Sequence, residues 1–99
     1  MNSETSKSLQ AMNRALIEAY GPLLRRDDVA DALSTSPESL GNTMRRGREP
    51  NVLYLRHNKL RFGRRVFYSA LTVAEALVLD AAELTRRLNE NREGHGNDR

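Results

Sequence analysis

At 99 residues with a formal net charge of +3, the chain has length for one domain whose single core draws on roughly 80 residues, which excludes a large catalytic cleft. The absence of Cys excludes a disulfide framework and a thiolate zinc site, and His57 and His95 alone leave a metal ion almost no ligands. No apolar run reaches the ~20 residues of a membrane helix and the start, MNSETSKSLQ, lacks the apolar centre of a signal peptide, so a cytoplasmic protein without cofactor or membrane partner is expected.

Residues 1–6 are polar and read as a disordered N-terminus, with Ser6 or Ser8 as cap of a first helix from about Lys7 to Tyr20. Leu9, Met12, Leu16 and Tyr20 form one helical stripe, suited to the domain's own core or to a dimer contact. Gly21-Pro22 ends it. A second helix pattern spans Leu23 to Leu33, with Asp27 and Asp28 in the first turn, where the helix dipole favours anions, and Leu24, Val29, Ala30 and Leu33 facing inward. Ser34-Thr35-Ser36 interrupts it. A third helix follows from about Pro37 to Arg46, with Ser36 as N-cap, Pro37 at the first helical position and Gly47 as the left-handed terminator. Two short helices joined by a three- or four-residue polar turn, the second rich in small polar and basic side chains, match a helix-turn-helix pattern.

On the third helix Leu40 and Met44 share the buried face. Glu38, Gly41, Asn42 and Arg45 lie opposite, with Ser39 and Arg46 at the edge. Asn can bond both edge atoms of adenine and Arg those of guanine, and Gly41 would let the backbone approach a groove wall. Taken alone, Arg45 and Arg46 are equally well read as cations at a helix C-terminus. After Pro50, NVLYLRHNKL suits a short helix capped by Asn51 or an extended segment, the helix being favoured slightly.

Leu60 to Phe62 and Val66 to Tyr68 flank Gly63-Arg64 as a hairpin. A two-residue turn pairs Phe62 with Arg65 and Leu60 with Phe67; a three-residue loop pairs Phe62 with Val66 and Leu60 with Tyr68, giving the cleaner apolar face. Arg61, Arg64 and Arg65 stand at the tip in either register. Between Gly41 and Tyr68 eight cations (Arg45, Arg46, Arg48, Arg56, Lys59, Arg61, Arg64, Arg65) face one acid, Glu49, so this stretch carries +7 and the remainder −4. That concentration points to a polyanion partner. Arg outnumbers Lys 14 to two, a bias toward the bidentate fork that binds phosphate or a guanine edge.

Thr72 to about Asn91 reads as the longest helix, Thr72 and Glu75 forming a capping box. Val73, Leu77, Val78 and Leu79 can close the core, while Ala74, Leu77, Ala81, Leu84 and Leu88 form a seam at coiled-coil spacing. The helix is therefore expected to dimerise through Leu77, Ala81, Leu84 and Leu88, or else to fold back on the core. Residues 92–99 read as a disordered tail.

The order of these motifs resembles the winged helix-turn-helix domains of the MerR superfamily, including the small AlpA-like and excisionase-like proteins of phages and mobile elements. LLRRDDVADAL stands as first helix, SPESLGNTMRRG as turn and recognition helix, FGRRVFY as wing and TVAEAL as the helix behind it. The resemblance implies a mainly α fold with a small β-hairpin, in a domain of residues 7–91 that includes the dimerisation helix 72–91. It implies that Ser39, Asn42, Arg45 and Arg46 face DNA and that Arg64 and Arg65 touch its backbone; Ser36, Thr43, Arg48 and Arg61 complete the candidate DNA-binding set. Asn42-Thr43 replaces the aromatic pair of effector-sensing members, and the stretch Glu49 to Leu60 is long for a simple approach to a wing. Both departures favour a small mobile-element regulator, and Arg25 stands where a Ser or Thr cap is usual.

The expected function is that of a dimeric, sequence-specific double-stranded DNA-binding transcriptional regulator of a plasmid, phage or integrative element, in a bacterial cytoplasm and at the nucleoid when bound. RNA polymerase or an integrase would be its further partners. An excisionase-like recombination directionality factor is the alternative, favoured less because a long C-terminal helix suits a symmetric dimer. A protein-interaction module with a basic face is a third reading. An enzyme fits least, since no nucleophile pairs with a His, no carboxylate pair sits in an apolar setting and no GxxxxGK loop is present.

Overall fold

A computed structural model describes the backbone of residues 3–95 and the side chains of residues 3–90. Expectations of disorder for residues 1–2 and 96–99 fall outside it. The described chain is mainly helical with a three-stranded antiparallel sheet, in the order α1 (Ser3–Tyr20), β1 (Leu23–Leu24), α2 (Arg26–Ala32), α3 (Pro37–Arg46), α4 (Pro50–His57), β2 (Leu60–Phe62), β3 (Arg65–Ser69), α5 (Ala70–Val78) and α6 (Ala81–His95). No helix among the described residues is long and apolar enough to cross a membrane.

Helix α1 begins at Ser3, so residues 3–6 are helical and neither Ser6 nor Ser8 is a cap. These residues contain no breaker, and Glu4 in the first turn complements the dipole. The stripe packs on the chain's own core: Leu9 and Leu16 are buried, Met12 and Tyr20 lean on them, and α5 is the neighbour. Gly21 at φ +91° ends the helix, its N–H donating to the Ile17 carbonyl at 2.7 Å. The Tyr20 hydroxyl then donates to Asp31 Oδ2 at 2.6 Å, tying α1 to α2.

Leu23 and Leu24 form a strand, where the sequence pattern predicted helix. They follow Pro22 and pair with Ser69 and Tyr68 of β3, which leaves the Leu24 side chain 0% exposed. Helix α2 starts after Arg25, whose backbone N–H is accepted by Asp28 Oδ2 at 3.0 Å. That is one half of a capping box, with a donor-only side chain where the other half requires an acceptor. Leu33 lies past the last turn and is half-exposed, a departure from the inward position expected for it.

The α2–α3 connection closes α2 with both bonds of a Schellman motif, Thr35 N–H to the Ala30 carbonyl at 2.9 Å and Ser34 N–H to the Asp31 carbonyl at 3.0 Å. The left-handed position is Ser34, at φ +57°, where Gly is usual. Helix α3 runs as predicted, with Ser36 Oγ accepting from Ser39 N–H at 3.1 Å and Pro37 in the first turn. Its terminator differs. Gly47 sits at φ −67°, in extended backbone, and is required by space: a Cβ there would lie 2.7 Å from the Thr43 carbonyl oxygen.

Residues 50–57 are helical, as favoured, but Glu49 and not Asn51 holds the cap position, with Pro50 at the first helical position. Tyr54 and Leu55 are its buried residues. The hairpin takes the two-residue turn, with pairs Leu60–Phe67, Arg61–Val66 and Phe62–Arg65. Gly63 at φ +62° occupies the first turn position, the requirement of a type II′ turn. In sheet order β3 lies between β1 and β2.

The single long C-terminal helix predicted from the sequence is two helices. Leu79 is extended at ψ 146°, and Asp80 Oδ1 accepts from Glu83 N–H at 2.8 Å as the cap of α6. Ser69 caps α5 in place of Thr72, its Oγ accepting from Thr72 N–H at 3.0 Å. Glu75, released from the expected capping box, accepts from the Tyr54 hydroxyl at 2.8 Å and pairs with Arg87 Nη1 at 2.8 Å, which joins α4, α5 and α6. Arg86 and, after it, Arg87 also pair with Glu83, holding its carboxyl down at about 2. Burial, followed by the bond to Glu75, raises the Tyr54 phenol above its usual range.

The break dissolves the coiled-coil seam. Leu84 is only 1% exposed within its own chain and Leu88 packs on the same core, whereas Leu77 and Ala81 remain exposed. Helix α6 also continues through residues 92–95, where a disordered tail was expected.

Two stability changes follow. Leu84→Ala should lower unfolding free energy by about 2–5 kcal/mol in urea titrations, by the same amount at every protein concentration, because the side chain fills an intrachain core. Ser34→Gly should raise stability by about 1 kcal/mol, read as a thermal midpoint higher by about 4–8 °C, because Gly carries no Cβ penalty at positive φ.

Candidate nucleic-acid interface

Helix α3 presents its polar side chains as a consequence of how it is anchored. Leu40 is buried and Met44 leans on the core, which turns Ser39, Asn42, Thr43 and Arg46 outward at spacings of three and four. All four are exposed, as are Ser36, Arg45 and Arg48. Ser36 is at the same time the helix cap, so its oxygen is engaged by Ser39 N–H.

Gly41 stands apart from the groove-facing role read from the sequence. It is buried, and a Cβ placed on it would lie 3.7 Å from the guanidinium groups of Arg26 and Arg45. Both arginines fold over it. Arg45 also donates to Asn42 Oδ1, one turn back on the same helix. This contact orients both side chains but occupies the amide oxygen that a bidentate contact to adenine would use. Asn42 and Arg45 therefore form one polar unit.

Arg56 has a structural role that the sequence concealed. Its Nη1 donates to the Met44 carbonyl at 2.6 Å and to the Arg45 carbonyl at 3.3 Å. A cation from α4 thus closes the C-terminal end of α3, satisfying carbonyls that no helical N–H can reach. Within the basic cluster this residue is therefore a support for α3, with one nitrogen of its guanidinium committed to that role.

Arg26, which the sequence reading did not single out, lies over Gly41 of α3 and close enough to the Tyr68 hydroxyl to oppose the rise in its pKa that burial causes. It stands between α3 and the sheet. A cation at the first position of α2 gives no sequence signal, since its neighbours are set by tertiary packing.

The hairpin distributes its cations by register. Tyr68 is buried and Val66 leans on the core, so Arg61, paired with Val66, belongs to the core-side face, while Arg65, paired with Phe62, belongs to the outer face; Arg64 is in the turn. Arg61, Arg64 and Arg65 are all exposed. Among the described arginines and lysines only Arg86 and Arg87 pair with a described acid, so Arg46, Arg48, Arg61, Arg64 and Arg65 keep their donors open to solvent.

No protein-family model, curated protein or solved structure matches the chain.

Arg56→Met should cost about 1–3 kcal/mol of stability by leaving the Met44 and Arg45 carbonyls without a donor, and should speed amide exchange in the last turn of α3. A loss of polyanion affinity with unchanged stability would instead make Arg56 a polyanion contact.

Proposed function

We propose that the chain is a winged helix-turn-helix protein that binds double-stranded DNA with sequence preference, as a regulator of transcription. In this reading α2 and α3 with their Schellman turn are the helix-turn-helix, α3 enters the major groove, and the β2–β3 hairpin is the wing on the phosphate backbone or minor groove. The observation that carries it is the clustering of exposed cations that pair with no described acid, Arg46 of α3, Arg48 of the α3–α4 connection and Arg61, Arg64 and Arg65 of the hairpin, while the arginines of α6 are tied to glutamates. Unpaired cations beside exposed Ser39, Asn42 and Thr43 suit a partner that offers phosphates together with base edges.

A second reading gains from the fold. A preference for a symmetric dimeric regulator over an excisionase-like recombination factor drew on an unbroken C-terminal helix, and that helix is divided at Leu79–Asp80 with Leu84 turned inward. Side-by-side assembly on DNA is thereby as compatible with the geometry as a palindrome-reading dimer. Regulation of a mobile element, and any contact with RNA polymerase or an integrase, belongs to the same proposal.

The test is selection of preferred duplexes from a random pool, followed by gel shift and anisotropy titration of the selected and scrambled duplexes over a salt series. One competitor-resistant complex with a symmetric footprint indicates a dimeric regulator and a ladder indicates the excisionase-like mode. Absence of preference over scrambled DNA would sink the sequence-specific reading. Arg45→Ala should relax selection at one position, and because Asn42 is its partner, the effects of Asn42→Ala and Arg45→Ala should be non-additive. Arg64→Ala should weaken all duplexes alike and reduce the salt slope by about 1.

A further inference from the structure

Phe62 is 81% exposed, the most exposed large apolar side chain among the described residues. It does not serve the fold, since its ring lies on the outer face of the hairpin with Leu60, Arg65 and Phe67, away from the core-side pair Val66 and Tyr68. Its surroundings are cationic. Arg61 precedes it, Arg65 is its cross-strand partner, and Arg64 follows in the turn. The residue between is Gly63, with nothing within 4 Å of where a Cβ would sit, so the tip is slender on the side next to the ring.

A phenyl ring beside Arg64 and Arg65, with no described acid paired to either, is poorly matched to the same face of a second copy, which would bring further arginines against it. A duplex supplies both requirements at once: phosphates line the walls of the minor groove, and a base-pair step between them can accept an apolar wedge. The ring is also held in direction. Strand β3 is fixed by β1 along one edge and ends at the Ser69 cap of α5, and the two-residue turn sets β2 against it.

We infer that Phe62 is a minor-groove wedge: when the hairpin docks, the ring enters a base-pair step, unstacks it in part and unwinds the duplex there. This inference rests on the DNA-binding reading above and adds to it a deformation that Arg contacts alone do not produce. Pyrimidine–purine steps, which unstack most easily, are the preferred sites. Specificity then includes a position where no hydrogen bond is made.

The chain contains no Trp, so Phe62→Trp places a single indole reporter at the proposed wedge. On titration with the selected duplex its emission should be quenched at least about twofold and become protected from iodide, as stacking on bases requires. With relaxed plasmid and topoisomerase I, the wild-type protein should shift the linking number. Phe62→Ala, with unchanged helical circular dichroism, should abolish that shift and lose about tenfold in affinity. Arg64→Ala should bind more weakly yet retain the shift at saturation.

Failure of the wild-type protein to bind any duplex would bring down the DNA reading and the wedge together. Binding by wild type and Phe62→Ala with equal affinity and equal linking number would overturn the wedge alone. So would conversion of a dimer to a monomer by Phe62→Ala without change in DNA affinity per protomer, which would make the face an interface between copies.

Discussion

The close approach of α1, α4 and β3 to the small-residue surface of α5 is the contact on which the remaining geometry depends. Ala70, Ala74 and Ala76 are buried with Val73, and alanines allow neighbouring backbones to come near without leaving voids. Leu71 and Leu77 remain exposed on the other side of α5, and the helix is bounded by the Ser69 cap at its start and the extended Leu79 at its end. Its N-cap, Ser69, is also the last residue of β3. One residue thus joins the core helix to the hairpin, and the position of the hairpin follows from the position of α5.

Helix α4 extends that support to α3. Tyr54 anchors α4 to Glu75 of α5, which in turn holds Arg87 of α6, and two residues beyond Tyr54 the Arg56 guanidinium closes the end of α3. Acidic side chains are consumed in this scaffold, at Glu75, Glu83 and Glu90. The cations of α3 and the hairpin are left without them. Placement of the exposed positive charge is therefore a product of where the glutamates are used as much as of where the arginines occur in the chain.

The elements were legible where local signals agreed. Ser36-Pro37 before an apolar pair at Leu40 and Met44 marked both the start and the inward face of α3, and Gly63-Arg64 between β-favouring runs marked the hairpin. Boundaries failed where a tertiary contact outweighed periodicity. Leu23-Leu24 fit a helical pattern but gain more by pairing with β3, and the coiled-coil spacing through Leu77, Ala81 and Leu84 ran across a break. Asp80-Ala-Ala-Glu83 carried the signal for that break, as an N-cap residue followed by Glu three positions later. Arg26 and Arg56 could not have been assigned from sequence, because a basic side chain reads alike whether it meets solvent, a phosphate or a backbone carbonyl.

The hairpin's two-residue turn is also a parity device. Tyr68 is committed to the interior by pairing with Leu24, so the facing of β3 is settled before β2 is placed. Which way β2 faces then depends only on whether the number of turn residues is even or odd. With two, Phe62 and Leu60 are outside and Arg61 is on the inner side; with three, Phe62 would join Val66 and Leu60 would join Tyr68, and the ring would be drawn toward the core. Drawing Arg65 into the turn would thus exchange an apolar outer face for a basic one without any substitution, so the surface presented at the tip is set by where the turn begins and ends.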